Sequence, residues 1–166
     1  MDAQELEQRR CSLAAQFLQS TGTVRIRARG SSMLPTLWPG DLVTVQSRTF
    51  EQVQAGEIVL YLREGLFVLH RAVRKLAGEE PLLVTRGDSM PGNDPRVKPC
   101  ELLGAVTGIQ RGASLVAPEP RLSLLRLMLA RALAHSNLCH RLALRLGAWH
   151  GRLRGPEPSQ EQAAVM

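Results

Sequence analysis

Cysteine is scarce in this chain of 166 residues, and so are lysine and the aromatics. The three cysteines, Cys11, Cys100 and Cys139, are odd in number and far apart, with no Cys-x-x-Cys pair and no clustered histidine partners. That pattern supports neither a disulfide framework nor a zinc site, and no metal or organic cofactor is expected. No run of about 18 residues is free of charge, so no segment is expected to span a bilayer. The opening Met1-Asp2-Ala3-Gln4-Glu5-Leu6-Glu7 carries acids where a secretory signal would carry a basic head and an apolar middle. A cytoplasmic location is expected, peripheral to a membrane at most. Of 21 basic residues only Lys75 and Lys98 are lysines, and His70 is the only histidine before residue 135. What is present is an ordinary globular composition, 44% hydrophobic with a net charge of +6. It suits one domain with room for a core.

Residues 2–19 read as a short helix. Asp2 and Glu5 can form an N-terminal capping box, while Leu6, Leu13 and Phe17, with Ala14 and Leu18 beside them, repeat at helical spacing and are expected to pack on the domain. Residues 24–29, 42–45, 58–62, 66–73, 82–85 and 102–106 are short apolar or alternating runs, which predict strands. Arg63-Glu64-Gly65 is a compact turn that predicts a hairpin. Residues 112–120 read as a linker. Beyond them, residues 121–154 hold seven arginines, three histidines and no acid. Leu122, Leu125, Leu129 and Leu133 share one helical face and Leu138, Leu142, Leu146 and Trp149 another, which predicts two helices broken near His135. Residues 155–166 read as a disordered end. The expected fold is mainly β: an N-terminal helix (1–21), a β domain (22–111) and a basic helical tail.

Between the first two strand runs the chain turns a corner at Gly30-Ser31-Ser32-Met33-Leu34-Pro35-Thr36-Leu37. Gly30 permits backbone angles that other residues resist and Pro35 fixes φ, so a serine held here can point its hydroxyl outward. This segment, followed by Gly40-Asp41 and an apolar strand, resembles the nucleophile segment of signal peptidase I and the LexA-type self-cleaving repressors. Gly56-Glu57-Ile58-Val59, Leu69-His70-Arg71-Ala72-Val73 and Arg86-Gly87-Asp88 with Asn93-Asp94 resemble that superfamily's later boxes, in its order, over about residues 22–111. The resemblance implies a signal-peptidase/LexA-like β domain. It also implies a catalytic serine directly before the methionine, at Ser32, with Ser31 a secondary candidate.

On a strand over residues 66–73, Leu66, Val68, His70 and Ala72 share a face while Arg71 and Val73 look the other way. His70 thus stands on an otherwise apolar face. The main bacterial signal peptidases and the LexA group use a lysine base, whereas relatives of the endoplasmic-reticulum enzyme use a histidine followed by Arg-Val. His70-Arg71-Ala72-Val73 resembles the second class, with Ala72 inserted before the valine. Lys75 has the wrong strand parity relative to His70, and Lys98 sits in a Pro-rich loop. A serine hydroxyl needs a neighbouring base to become a nucleophile, an imidazole can supply it, and a carboxylate can orient the imidazole. Asp88 and Asp94 are both available for that role. The resemblance favours Asp94, six positions beyond the Asp of Gly-Asp, with Asp88 holding the loop; turn chemistry accounts for either acid equally well. Backbone N–H groups at the corner, that of Ser32 among them, are expected to form an oxyanion hole. Where many relatives add a serine hydroxyl, this chain has Gly30.

The resemblance implies a serine endopeptidase similar to signal peptidase, acting on peptide or protein precursors held extended along a strand edge. The alternatives are a LexA-type self-cleaving regulator and a non-catalytic peptide-binding module. Residues 121–154 are expected to meet an anionic membrane surface, a protein partner or their own β domain. Nucleic acid is not expected, because no DNA-reading motif appears and the arginines lack a run of interleaved aromatics.

Overall fold

The computed structural model describes residues 3–120, with Met128 alone beyond them. The predicted tail helices and disordered end therefore fall outside the described residues, Met128 apart, as does Asp2 of the predicted capping box. Short β-branched and apolar runs, each cut by a glycine, proline or aspartate turn, form β1 (Thr23–Arg27), β2 (Leu42–Ser47), β3 (Ile58–Arg63), β4 (Leu66–Leu76), β5 (Leu82–Arg86), β6 (Leu102–Arg111) and β7 (Ser114–Val116). They make one seven-stranded sheet in the order β1-β2-β6-β3-β4-β5, with β7 on β6. Every pairing is antiparallel. The β3–β4 hairpin turns at Glu64 (φ 52°) and Gly65 (φ 76°), the left-handed pair that a two-residue turn needs to follow strand twist. The predicted linker contains β7, whose register of Ile109 with Val116 draws residues 114–116 into the sheet. Three residues are too few for a periodicity signal.

The helix α1 (Ala3–Thr21) ends at Gly22, whose positive φ lets its N–H reach the Leu18 carbonyl at 2.9 Å. It buries Cys11, Ala15 and Leu18 against the sheet, while Leu13 (66% exposed) and Phe17 (55%) face outward. The expected packing face is thus rotated. Cys11 and Ala15 are small, which suits a close approach of helix to sheet, and Leu18 is the one large α1 side chain fully buried among the described residues. Ala15 and Leu18 join Met33, Leu37, Val43, Val45, Ile58, Leu60, Leu103, Val106 and Ile109 in the main core. A second core on the opposite face of β3 and β4 gathers Val59, Tyr61, Ala72, Leu83, Val97 and Leu102 around Val53. Leu18→Ala is expected to cost about 2–5 kcal/mol of unfolding free energy. Phe17→Ala should cost far less, and urea unfolding of the two variants checks the rotated face.

Candidate active site

Two turns and one strand build the site. The first turn leaves β1 through Ala28, whose N–H donates to the Asp41 carbonyl (2.7 Å) and whose carbonyl accepts from Gly40 N–H (2.9 Å). Gly30 then takes φ 73°, and open space surrounds the position a Cβ would fill. A serine there would have room but a strained backbone, which accounts for glycine at this position. The next residues coil into a helical turn, with Thr36 and Leu37 N–H donating to the Met33 carbonyl at 2.9 Å. Buried Met33, Leu34 and Leu37 anchor its underside. Buried Asp41 fixes the far end: it accepts from Trp38 N–H (2.9 Å) and from Arg111 Nε and Nη2 (3.0 and 2.6 Å). Arg111 Nη2 also donates to the Thr36 carbonyl at 3.0 Å.

The second turn, residues 87–90, lies directly on the first. Ser89 donates its N–H to the Ser32 carbonyl (2.9 Å) and its hydroxyl to the Ser31 carbonyl (2.8 Å). A Cβ on Gly87 would stand 2.6 Å from the Ser32 carbonyl oxygen and 3.1 Å from Ser32 Cβ, so this position must be glycine for the turns to meet.

The strand is β4, and its alternation separates the two aspartates. His70 and Arg71 point to opposite faces. His70 Nε2 lies 2.9 Å from Ser32 Oγ, and Nδ1 lies 2.6 Å from Asp94 Oδ2. An ionised carboxylate only accepts, so Nδ1 carries the proton and Nε2 of the neutral ring accepts from the Ser32 hydroxyl. Asp94 is itself held: its Oδ2 accepts from Thr85 Oγ1 (2.8 Å) and its N–H donates to the Thr85 carbonyl (2.9 Å). The Tyr61 hydroxyl adds a long contact to Oδ2 of 3.4 Å, and burial pushes that phenol above its ordinary pKa, keeping it a donor. On the other face Arg71 binds Asp88 in a two-pronged pair, Nε to Oδ1 at 2.7 Å and Nη2 to Oδ2 at 2.8 Å. Asp88 also accepts from Thr36 Oγ1. Arg71 Nη1 reaches the carbonyls of Gly56 (2.7 Å) and Glu119 (2.8 Å), so this guanidinium ties the first turn, the second turn and the end of the described chain together.

Ser32, His70 and Asp94 thus come together in one hydrogen-bonded line. Asp88 stands apart from it, and Ser31 gives its carbonyl to Ser89. For Lys75 the parity argument fails: the β4–β5 register skips from Ala72 to Arg74, and the bulge at Val73 returns Lys75 to the face of His70. It lies farther along the strand, however, with Nζ on the Glu51 carbonyl (2.9 Å) and over the Phe50 ring. The extra residue noted before Val73 in the sequence is absorbed by that bulge. Among the described residues no cluster of three or more His, Cys, Asp or Glu could hold a metal ion.

A groove of about 460 Å³ leads to Ser32 and His70. One wall is residues 26–30 and the other residues 66–70, while Cys11 and Ala14 of α1 close its back. Among the described residues β1 pairs only with β2, and residues 66–70 of β4 pair only with β3, because β5 begins its pairing at Arg71. Two strand edges left unpaired among the described residues therefore flank the groove, with β2, β6 and β3 between them in the sheet.

A histidine between a serine and an aspartate, beside a groove with strand-edge walls, is the layout of a serine peptidase. The family whose sequence model matches this chain is described as Peptidase S24-like, over residues 1–107. The chain belongs to that family. It is a member of the LexA/signal peptidase I serine peptidase superfamily and has its serine-peptidase-like fold. No curated protein matches it. The match spans α1, the Ser32 turn, β4, the loop carrying Asp88 and Asp94, and the first half of β6. Among the described residues no helix of this Peptidase S24-like chain is long and apolar enough to cross a membrane. Sequence reasoning named Gly87 and Asp88 but missed Thr85, Ser89, the close approach that requires glycine at 87 and the pairing of Asp88 with Arg71. Their partners lie up to 58 residues away, and no local periodicity encodes such contacts.

Proposed function

We propose that this Peptidase S24-like protein is a serine endopeptidase acting on peptide or protein precursors, with residues 22–111 as its catalytic unit. The single observation that carries the reading is the line from Ser32 Oγ through His70 to Asp94, at 2.9 and 2.6 Å. His70 Nε2 takes the hydroxyl proton as Ser32 attacks the scissile carbonyl, and Asp94 holds the imidazolium that results. His70 then returns the proton to the leaving amine, and water, activated by the same nitrogen, hydrolyses the acyl-enzyme. The developing oxyanion is held by corner N–H groups, that of Ser32 among them. The substrate lies extended between the open edges of β1 and β4, where its backbone continues the sheet.

Labelling of the intact protein by a fluorophosphonate probe, with the adduct mapped to Ser32, tests the reading. An unlabelled, folded protein would overturn it, and mass spectrometry of the same sample separates cleavage of other chains from self-cleavage. Gly87→Ala should slow labelling on the order of 100-fold, the cost of about 1 Å of displacement at a reacting atom.

Residues 121–154, on composition alone, are proposed to attach the enzyme to an anionic membrane surface. Each arginine near such a surface is worth on the order of 1 kcal/mol. The protein should co-sediment with anionic but not neutral vesicles at low salt and be released near 1 M, where the Debye length is about 3 Å. Failure to bind anionic vesicles at low salt would remove the attachment.

A further inference from the structure

Strand β1 presents arginines in a row. Ser47 N–H bonds the Gly22 carbonyl, Ala28 N–H the Asp41 carbonyl and Gly40 N–H the Ala28 carbonyl, which fixes the even-numbered residues as those that exchange hydrogen bonds with β2. The N–H and C=O of Arg25 and Arg27 consequently point to the open edge. Side chains alternate in the other direction: Val24 and Ile26 pack on the main core and Ala28 is buried, while Arg25 and Arg27 stand on the opposite face, exposed, and Arg29, just past the strand, is exposed too. Arg25 donates to the Gln110 side-chain oxygen, and Arg27 Nη1 donates to the Gly40 carbonyl at 2.8 Å. Both acceptors are neutral, so neither bond cancels a charge. Arg27 and Arg29, with Arg10 of α1, line the groove, and no carboxylate does among the described residues.

A peptide added to this edge alternates in step with β1. One set of its side chains enters the groove over Ile26, Ala28 and Leu69, and the other comes onto the sheet face that carries Arg25 and Arg27. We propose that the groove takes an acidic segment: an extended peptide with small or apolar residues at alternate positions and carboxylates at the positions between. This rests on the reading of the groove as the substrate site, and it adds the chemistry of the substrate to that reading. Opposite charges facing each other across strands attract and like charges repel, and an arginine fork can grip a carboxylate at two points. Charged edge strands also deter sheets from joining edge to edge. A row serving only that purpose would show no preference for acidic over neutral peptides.

The test uses the full chain as Ser32→Ala, so that binding is read without turnover, and fluorescence anisotropy with dye-labelled peptides alternating Ala with Glu, Ser or Lys. At low salt the Glu peptide should bind about tenfold more tightly than the Ser peptide and the Lys peptide most weakly, as expected for about two favourable cross-strand charge pairs. The preference should collapse near 1 M salt. Arg25→Glu with Arg27→Glu should turn the preference toward the Lys peptide; Arg25→Glu alone, which keeps the bond from Arg27 to Gly40, should at least halve it if the double variant fails to fold. Equal binding of the Glu and Ser peptides overturns the proposal. So does an acidic preference that survives both charge reversals, because it would then belong to the arginines of residues 121–154. Fluorophosphonate labelling of the parent stands apart from these outcomes: a labelled parent with no charge preference leaves the peptidase reading intact, and an acidic preference in an unlabelled protein overturns that reading alone.

Discussion

Ser32→Ala is expected to lower peptidase turnover by about three orders of magnitude or more and to abolish fluorophosphonate labelling, while leaving the fold intact. The hydroxyl is the only group removed, and it sits on a turn whose shape depends on other atoms: the carbonyls of Ser31 and Ser32 held by Ser89, and the buried side chains of Met33 and Leu37. Ser31→Ala keeps both carbonyl contacts and should lose far less activity. His70→Ala should be as inactive as Ser32→Ala, and the double variant no worse than either. A base with no hydroxyl to deprotonate, and a hydroxyl with no base, fail at the same step, so their effects do not add. Full activity in Ser32→Ala on any substrate cleaved by the parent would sink the assignment. An essential Lys75 with a dispensable His70 would replace the base.

The second large effect separates the aspartates. Asp94→Asn removes the carboxylate from His70 Nδ1 and lets the amide impose the wrong tautomer, so turnover should fall by about 10²–10⁴ while stability changes little. Asp88→Ala should do the reverse. It leaves the Arg71 guanidinium facing a void in a place where the two side chains are only 12% and 3% exposed. Removing one partner of such a buried pair costs about 3–5 kcal/mol. Urea unfolding midpoints beside steady-state rates decide the matter. An unstable Asp94→Asn with a stable, inactive Asp88→Asn would mean that the orienting acid is Asp88.

Much of the fold could be read locally. Runs of β-branched and apolar residues bounded by turn residues predicted the positions of β1 to β6, and Arg63-Glu64-Gly65 marked a hairpin as a short glycine-containing break between two such runs. The Ser32 corner and His70 were legible as well, the first from its glycine and prolines, the second as a lone imidazole on an apolar strand face. The resemblance favoured Asp94, but the residues themselves could not choose between Asp88 and Asp94, because both sit in one loop of turn-forming residues. Tertiary structure puts Asp94 on His70 and Asp88 on Arg71. Neighbouring residues His70 and Arg71 face opposite sides of β4, and each takes the acid that the loop delivers to its side. The bulge at Val73 and the rotated face of α1 were likewise decided in three dimensions. A strand's parity holds only while its register is unbroken, and a helix buries whichever stripe allows the closest approach to the sheet.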